Sequence, residues 1–401
     1  YPMSRSTRRG TMYVVLVLAF FASGCNQQDP PVTIGAVLIN AAEARPASLP
    51  AAGNQAATLA LALGKPAQLL VGLGTVSPES IRTQGVKLDI YDQYLNGVGQ
   101  DSWISWNSPA GAYVGLVARN ADALNAIPMF TLYQMAALGD SNIQGLSSRE
   151  FMRQYWHNVR VLFSELRIYN KPALVNFEPD FWGYSQRAYP DPVQHFVQVN
   201  SVNPDCANHP NDMTGFAQCL LTMARTLAPK ARVGFPPSLF PDLAATELKY
   251  LQLIGAARAD FVVMQAGDRD AGCFEARYVG ESAGCDRSDG PNHAWDASNT
   301  PLPNFASHFA QGRKYFDNFQ LPLLWWQTPM GVPSATPGGR PGAFRDNKMD
   351  YFLNHPSEMV NAGGFGVVFS QGHASQTTLD TDRGQYKRLS GIYFNSPVKL
   401  P

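Results

Sequence analysis

The sequence predicts an α/β fold organised as a single (β/α)8 barrel. Eight short apolar runs alternate with amphipathic helical patterns along most of the chain, which is typical of a parallel sheet built from strand–helix units. The chain has 401 residues, of which 45% are hydrophobic, so it is long enough to bury the core of one barrel. A doubly wound sheet shows the same alternation and is the alternative.

The predicted strands are continuous apolar runs rather than alternating patterns. Such runs indicate strands that are covered on both faces, as the strands of a parallel barrel are. The predicted strands are residues 68–73, 86–91, 128–133, 173–177, 232–235, 261–265, 321–326 and 366–370.

The segments between these strands carry apolar residues at helical spacing. One of them begins with Ser147 or Ser148 as N-cap and Glu150 in its first turn, which is a typical helix start. The predicted helices are residues 113–126, 148–166, 214–227, 243–256, 305–319 and 348–361.

Residues 1–25 have the pattern of a signal peptide. Arg5, Arg8 and Arg9 precede an apolar run at 12–21 that is too short to span a bilayer. The run ends in Ala-Ser-Gly-Cys25, which resembles a bacterial lipobox. The resemblance implies a lipid on Cys25 and a periplasmic or cell-surface lipoprotein, and plain signal-peptidase cleavage is the alternative.

Residues 26–65 are predicted to form a flexible tether, because they are rich in alanine and proline. Residues 66–401 would then be the single barrel domain. The chain has 31 basic and 31 acidic residues, and losing the three leader arginines leaves a net charge of −3. This balance gives no support for nucleic acid as a partner. The membrane is expected as a partner only through the lipid, and the protein is expected to be a monomer.

Four cysteines remain in the exported part of the chain, and export makes disulfides plausible. Pairing of neighbours in sequence, Cys206 with Cys219 and Cys273 with Cys285, would close two short loops. Metal binding is the competing interpretation, but the spacings match no zinc pattern. We therefore predict disulfides and no metal.

The strand at 173–177 ends in the most informative segment of the chain. Glu178, Pro179 and Asp180 follow it directly, and Phe181, Trp182 and Tyr184 come next. A carboxylate at the end of a buried strand is costly unless it has a partner or a function. Carboxylates beside flat rings suit carbohydrate chemistry, and a salt bridge over core aromatics is the structural alternative.

Polar and aromatic residues also follow the other predicted strands. In a barrel, these positions converge on the face that is formed by the loops after the strands. We therefore expect a carbohydrate substrate there. The predicted sugar-binding residues are Asp180, Trp182, Tyr94, Tyr133, Gln134, Gln265, Trp325, Trp326, Gln327 and His373.

The Glu178-Pro179 pair resembles the Asn-Glu-Pro that ends strand four in a large clan of retaining barrel glycoside hydrolases. That clan has a glutamate nucleophile at the end of strand seven, where this chain has Gln327. Glu178-Pro179-Asp180 also resembles a motif of family-six cellulases, although that family's Arg-Asp-Cys motif has no match here. Both resemblances imply a barrel glycoside hydrolase.

Glycoside hydrolysis needs a proton donor and an opposing carboxylate. Glu178 is the predicted acid, since burial would raise its pKa. Asp92 and Asp268 are the predicted opposing carboxylates, with Asp270 and Asp180 in reserve. Because Gln327 replaces the nucleophile, we expect inversion through an activated water.

Other chemistries lack their motifs. The sequence has no Gly-x-Ser-x-Gly elbow, no Walker or dinucleotide glycine pattern and no His-Glu-x-x-His. A hydrolase without a cofactor is therefore the expected enzyme. The alternative is a carbohydrate-binding or envelope structural lipoprotein whose barrel has no catalytic activity.

Overall fold

The computed structural model describes residues 55–267, 270–278, 293–336, 339–373 and 375–401, and all of them belong to one compact unit. Eight parallel strands follow one another around a closed barrel, and the last strand pairs with the first. This arrangement confirms the predicted (β/α)8 barrel. It excludes the doubly wound sheet, because an open sheet would leave its two edge strands unpaired.

The strands are short and almost entirely buried, as their apolar sequences require. Their bounds are β1 Leu70–Gly74, β2 Ile90–Asn96, β3 Ile127–Tyr133, β4 Ala173–Phe177, β5 Ala231–Phe235, β6 Phe261–Gln265, β7 Leu323–Pro329 and β8 Gly364–Ser370.

The helices cover the outside of the barrel. Among the described residues they are α1 Gln55–Ala62, α2 Pro78–Gln84, α3 Ala112–Ala123, α4 Arg149–Tyr169, α5 Phe181–Ala188, α6 Met213–Leu227, α7 Glu247–Leu253, α8 Ala271–Tyr278, α9 Phe305–Phe319, α10 Lys348–Asn354, α11 Pro356–Asn361 and α12 Gln385–Asn395.

Strand β2 lies further along the chain than predicted. The prediction placed it at 86–91, with Asp92 and Tyr94 after its end, whereas the strand runs from Ile90 to Asn96. Asp92 and Tyr94 therefore belong to the strand itself. Polarity was a poor sign of the strand end here, since the upper part of the barrel interior accepts polar side chains.

The predicted helix at 348–361 is divided into α10 and α11. The break falls at His355, directly before Pro356, which opens α11. Proline has no N–H to donate and its ring clashes with the preceding turn, so a continuous helix was a wrong expectation.

The described residues begin within the segment that was predicted as a tether. Helix α1 buries Ala56, Ala57, Leu59 and Ala60, and it lies against β8. The alanine content that suggested a linker is therefore used for close helix packing. Residues 1–54, including Cys25, lie outside the described residues. No helix in the described ranges is long and apolar enough to cross a membrane.

The predicted pairing of Cys206 with Cys219 is confirmed by a disulfide that closes a loop of 13 residues before and within α6. Asn203 donates its amide N–H to the sulfur of Cys219 at 3.2 Å. Cys273 is also disulfide-bonded, and its predicted partner Cys285 lies outside the described residues.

Helix α4 offers a direct test of how local sequence stabilises the barrel layer. The Ser148 hydroxyl accepts the N–H of Phe151 at 3.2 Å, so Ser148 is the N-cap. Replacing Ser148 with alanine removes that acceptor and should lower the free energy of unfolding by about 1 kcal/mol. Urea denaturation followed by circular dichroism measures the change.

The neighbouring Ser147 provides the matched control for this variant. Its hydroxyl donates to the carbonyl of Gln144 and does not cap α4. Ser147→Ala should therefore change stability by less than about 0.5 kcal/mol. Equal losses in the two alanine variants would contradict the capping role of Ser148.

Candidate active site

A cavity of about 770 Å³ opens at the carboxyl ends of the strands, which is the face where barrel proteins place their sites. Its wall combines aromatic rings, amides and two carboxylates among the described residues. The cavity is lined by Thr75, Gln93, Tyr94, Asn96, Trp106, Tyr113, Tyr133, Asp140, Asp180, Tyr184, Ser238, Phe240, Gln265, Gly267, Trp326, Gln327, Gly372 and His373.

The structure brings together only part of the predicted site. Seven predicted residues line the cavity, and five others are buried elsewhere. The seven are Tyr94, Tyr133, Asp180, Gln265, Trp326, Gln327 and His373. The five are Asp92, Gln134, Glu178, Trp182 and Trp325. The predicted catalytic Asp268 lies outside the described residues.

Glu178 follows β4, and its side chain is buried and does not line the cavity. Its backbone has a φ of 52°, a left-handed conformation that is uncommon for residues other than glycine. The side chain reaches the loop after β3, where Oε2 accepts the N–H of Met135 at 2.9 Å. The expected cavity position is therefore not observed, because this turn interrupts the alternation that would have directed residue 178 inward.

The environment of Glu178 favours its neutral form. The side chain is fully buried, and burial raises the pKa of Glu178 to about 8, against the opposing effect of the Met135 and Gln134 N–H groups and the nearby Tyr155 hydroxyl. The Tyr155 hydroxyl does not reach hydrogen-bond geometry with any described residue. Glu178 therefore acts as a buried link between two loops.

Asp180, two residues further on, is the carboxylate of this segment that reaches the cavity. It also has a left-handed backbone, with a φ of 65°. Its Oδ1 accepts the side-chain N–H of Gln265 at 3.1 Å, which ties the end of β4 to the end of β6. Strained backbone at a loop of this kind is a frequent sign of a functional site.

The loop after β5 is hydrogen-bonded to the backbone at Asp180. The hydroxyl of Ser238 donates to the Asp180 carbonyl at 3.1 Å and accepts the N–H of Gly183 at 2.8 Å. Glu247 on α7 in turn accepts the backbone N–H of Ser238 and of Leu239, and the hydroxyl of Tyr315 donates to it. A second buried glutamate thus fixes the backbone around the cavity carboxylate.

Asp92 lies inside the barrel, beneath the cavity wall. It is fully buried, and its two oxygens accept the Thr131 hydroxyl at 3.0 Å and the indole N–H of Trp326 at 3.0 Å. Burial raises the pKa of Asp92 to about 7, and these two hydrogen bonds oppose the increase. Asp92 therefore contacts a residue of the cavity without lining it.

Two of the predicted stacking tryptophans are core residues. Trp182 donates its indole N–H to the carbonyl of Phe177 at 2.8 Å and packs against Phe235. Trp325 donates to Nε2 of His308 on α9 at 3.0 Å. Adjacent residues on a strand face opposite sides, so Trp325 faces the helices while Trp326 faces the barrel interior.

Gln134 and the reserve candidate Asp270 are also buried away from the cavity. The side-chain oxygen of Gln134 accepts N–H groups from Trp103 and Asn158. Asp270 accepts the N–H and the hydroxyl of Thr377. Burial and the nearby charge of Asp346 raise the pKa of Asp270 to about 7, against its bonds from Thr377. Both residues hold loops together.

A second carboxylate, Asp140, lines the cavity and was not among the predicted site residues. It accepts the hydroxyl of Tyr133 at 2.9 Å. Burial, with the charges of Asp180 and Asp140, raises the pKa of Tyr133 above its ordinary range. Tyr133 therefore lies within electrostatic reach of both cavity carboxylates. Asp140 was not predicted as a site residue because it lies several residues beyond the end of β3.

Aromatic rings surround these carboxylates, including several that sequence reasoning missed. Tyr94 packs edge-on against Tyr133 and lies 5.8 Å from the ring of Trp326. Trp106, which is 46% exposed, packs edge-on against Tyr113 in the segment after β2. The missed aromatic residues are Trp106, Tyr113, Tyr184 and Phe240. The sequence could have indicated them, because they follow the ends of β2, β4 and β5, and residues after strand ends converge at the mouth of a barrel.

Among the described residues, no group of three or more His, Cys, Asp and Glu side chains could hold a metal ion. Within the described ranges, the site is therefore defined by carboxylates, amides and aromatic rings in a barrel mouth.

Comparison with known proteins adds information on the fold only. No protein-family model matches the chain, and no curated protein matches it. Many solved structures are similar, at low identity. An endo-β-1,4-mannanase from Thermotoga petrophila has 11% identity and a TM-score of 0.42, over 82% of this chain and 78% of that one.

Two further barrels illustrate the range of these similarities. A family 1 β-glucosidase from Thermotoga maritima has 11% identity and a TM-score of 0.43, over 83% of this chain and 98% of that one. A D-psicose 3-epimerase from Clostridium cellulolyticum H10 has 10% identity and a TM-score of 0.38, over 82% and 97%. The similar structures thus include both hydrolases and epimerases.

The buried position of Glu178 predicts a specific dependence of stability on pH. Between the ordinary pKa of 4.5 and the folded value of about 8, the native protein retains a proton that the unfolded chain has lost. Stability therefore falls as the pH rises through this window. Glu178→Gln removes the titrating group. The difference in free energy of unfolding, variant minus wild type, should therefore increase by at least roughly 1 kcal/mol from about pH 5 to about pH 8.

Urea denaturation of both proteins at the two pH values measures this difference. Glu150→Gln is the control, because Glu150 is exposed on the first turn of α4, and its difference from wild type should stay constant. A constant difference for Glu178→Gln as well would show that Glu178 is not a buried neutral acid.

Proposed function

We propose that this protein is a glycoside hydrolase that acts on an oligosaccharide or polysaccharide. The observation that carries the proposal is the presentation of Asp180 to a cavity walled by aromatic rings and amides. Aromatic faces bind the apolar faces of sugar rings, and side-chain amides match sugar hydroxyls. A carboxylate among such groups is suited to acid–base chemistry at a glycosidic bond.

The second carboxylate that this chemistry requires is Asp140 among the described residues. Both carboxylates interact with Tyr133: Asp140 accepts its hydroxyl hydrogen bond, and burial, together with the charge of Asp180, raises the pKa of Tyr133. We assign Asp180 and Asp140 as the acid–base pair. The predicted roles of Glu178 and Asp92 are less well supported, because both are fully buried beneath the cavity wall.

We propose inversion through water as the stereochemical course. Gln327 stands at the cavity wall, where its amide donates to the hydroxyl of Tyr94 at 2.6 Å. An amide cannot form the glycosyl ester of a retaining mechanism. Water activated by a carboxylate is then the simplest nucleophile.

The proposal also includes export as a lipoprotein. It is supported by the basic and apolar segments of residues 1–25 and by the small residues before Cys25. The disulfide between Cys206 and Cys219 fits an oxidising compartment. The lipid on Cys25 would hold the barrel at the membrane surface on the periplasmic side or on the cell surface.

A second candidate function is carbohydrate binding without turnover. The burial of Asp92 and Glu178 favours it, because two of the three predicted catalytic carboxylates do not reach the cavity. A binding protein needs the rings and amides of the cavity but no pair of carboxylates. Turnover assays separate the two functions.

Asp180→Asn tests the hydrolase assignment. Replacing the cavity carboxylate with an isosteric amide should reduce turnover by at least about 100-fold, because general acid–base catalysis is lost, while sugar binding is retained. The assay incubates the proteins with a polysaccharide panel and measures the release of reducing ends. Asp317→Asn is the control, since Asp317 lies exposed on α9 and pairs with Arg313, and it should keep full activity.

Wild-type turnover in Asp180→Asn would contradict the assignment of Asp180. Binding of a polysaccharide by the wild-type protein, with no reducing ends released from any member of the panel, would favour the binding function instead.

Trp106→Ala tests the aromatic wall in either function. Loss of this half-exposed ring should weaken polysaccharide binding about 3- to 10-fold, because one stacking surface is removed. Isothermal titration calorimetry measures the affinity. Tyr189→Ala is the control, since Tyr189 is 42% exposed and does not line the cavity. Equal loss of affinity in both variants would contradict a stacking role for Trp106.

A further inference from the structure

The hydrogen bond between Trp326 and Asp92 crosses the inside of the barrel between strands that are not neighbours. The indole N–H of Trp326 on β7 donates to Oδ2 of Asp92 on β2 at 3.0 Å. Strands β1 and β8 lie between them in the barrel. The two side chains therefore reach each other through the interior and do not follow the sheet.

Small residues on the intervening strands leave room for this contact. A Cβ atom added to Gly74 on β1 would lie 3.1 Å from Oδ2 of Asp92 and 3.2 Å from the Cβ of Ser370 on β8. These distances are tighter than ordinary contacts. A side chain at residue 74 would therefore compete with Trp326 for the space beside the carboxylate.

Asp92 is held from its other side as well. The hydroxyl of Thr131 on β3 donates to its two oxygens at 3.0 and 3.2 Å. Asp92 and Thr131 are both fully buried. The carboxylate thus has fixed donors on two sides before any ligand enters the cavity.

The ring of Trp326 is at the same time part of the cavity wall. It lies 5.8 Å from the ring of Tyr94 at an interplanar angle of 52°. Tyr94 is fixed by the amide of Gln327, the residue next to Trp326. The bond to Asp92 anchors the polar edge of the indole. The ring is only 2% exposed, so it supports the more exposed Tyr94 from within the barrel.

We propose that Asp92 is a positioning residue that accepts the indole N–H of Trp326 across the barrel, and that the ring fixed in this way holds Tyr94 in the cavity wall as a sugar-binding side chain. The positioning of the two rings follows from geometry alone, and the contact of Tyr94 with a sugar rests on the proposed function. Burial of a carboxylate that touches no cavity surface fits this role, because such a group is costly unless its bonds define a structure.

The first test needs no carbohydrate. In 1H–15N NMR spectra each tryptophan gives one indole N–H signal, and the signal missing from Trp326→Phe belongs to Trp326. Asp92→Leu should shift that signal and speed its exchange with solvent by roughly tenfold, because the N–H loses its acceptor. Asp92→Asn, which keeps an oxygen acceptor, should restore most of the wild-type position.

Two further variants keep this test decisive. Asp270→Asn alters another fully buried carboxylate that is bonded to Gly331 and Thr377, and it should leave the Trp326 signal in place. If Asp92→Leu does not fold, Thr131→Val loosens Asp92 from its other side and should shift the same signal. An unshifted Trp326 signal in folded Asp92→Leu, or in Thr131→Val when Asp92→Leu does not fold, would overturn the proposal.

The second test uses the oligosaccharide that the panel assay identifies as a substrate. Asp92→Leu should raise KM by roughly tenfold and change kcat much less, because displacement of Trp326 also displaces Tyr94, which contributes to binding. In the Trp326→Phe background the same substitution should have no further effect on KM. An equal effect in both backgrounds would overturn the proposal, whereas absence of any substrate would refute only the hydrolase function and leave the NMR result to decide.

Discussion

The cost of burying a carboxylate is the constraint on which the upper half of this barrel depends. A buried ionisable group is destabilising unless donors surround it. Asp92 obtains its donors from Thr131 and Trp326, and Glu178 obtains one from the backbone of Met135. Each of these bonds joins different strands or loops, so satisfying the carboxylates also fixes the geometry of the barrel mouth.

The buried acids support the exposed one. Glu178 holds the loop after β3 against the end of β4, and Glu247 holds the loop after β5. Asp180 lies between these two loops and is bonded to Ser238 and Gln265. A left-handed aspartate at a cavity wall requires a backbone that cannot relax, and the buried glutamates provide that rigidity.

The fold was predictable from the sequence, whereas the orientation of single side chains was not. Continuous apolar runs such as 173–177 identify strands because parallel strands are covered on both faces. Whether Trp325 or Trp326 faces the interior depends on register, and both residues belong to one buried run. The direction of Glu178 depends on a positive φ that no residue type at this position announces. Asp140 was concealed because only the folded loop brings it to Tyr133.

These differences change how a strand-end carboxylate should be interpreted. Glu178 and Asp180 are separated only by Pro179, yet one is bonded to a backbone N–H in the core and the other reaches the cavity. From the sequence, Glu178 was preferred as the acid and Asp180 was a reserve. What separates them is access to the cavity, because Asp180 lines it whereas Glu178 is fully buried. A fully buried carboxylate can position the backbone of the site, whereas a carboxylate that lines the cavity can reach a glycosidic oxygen.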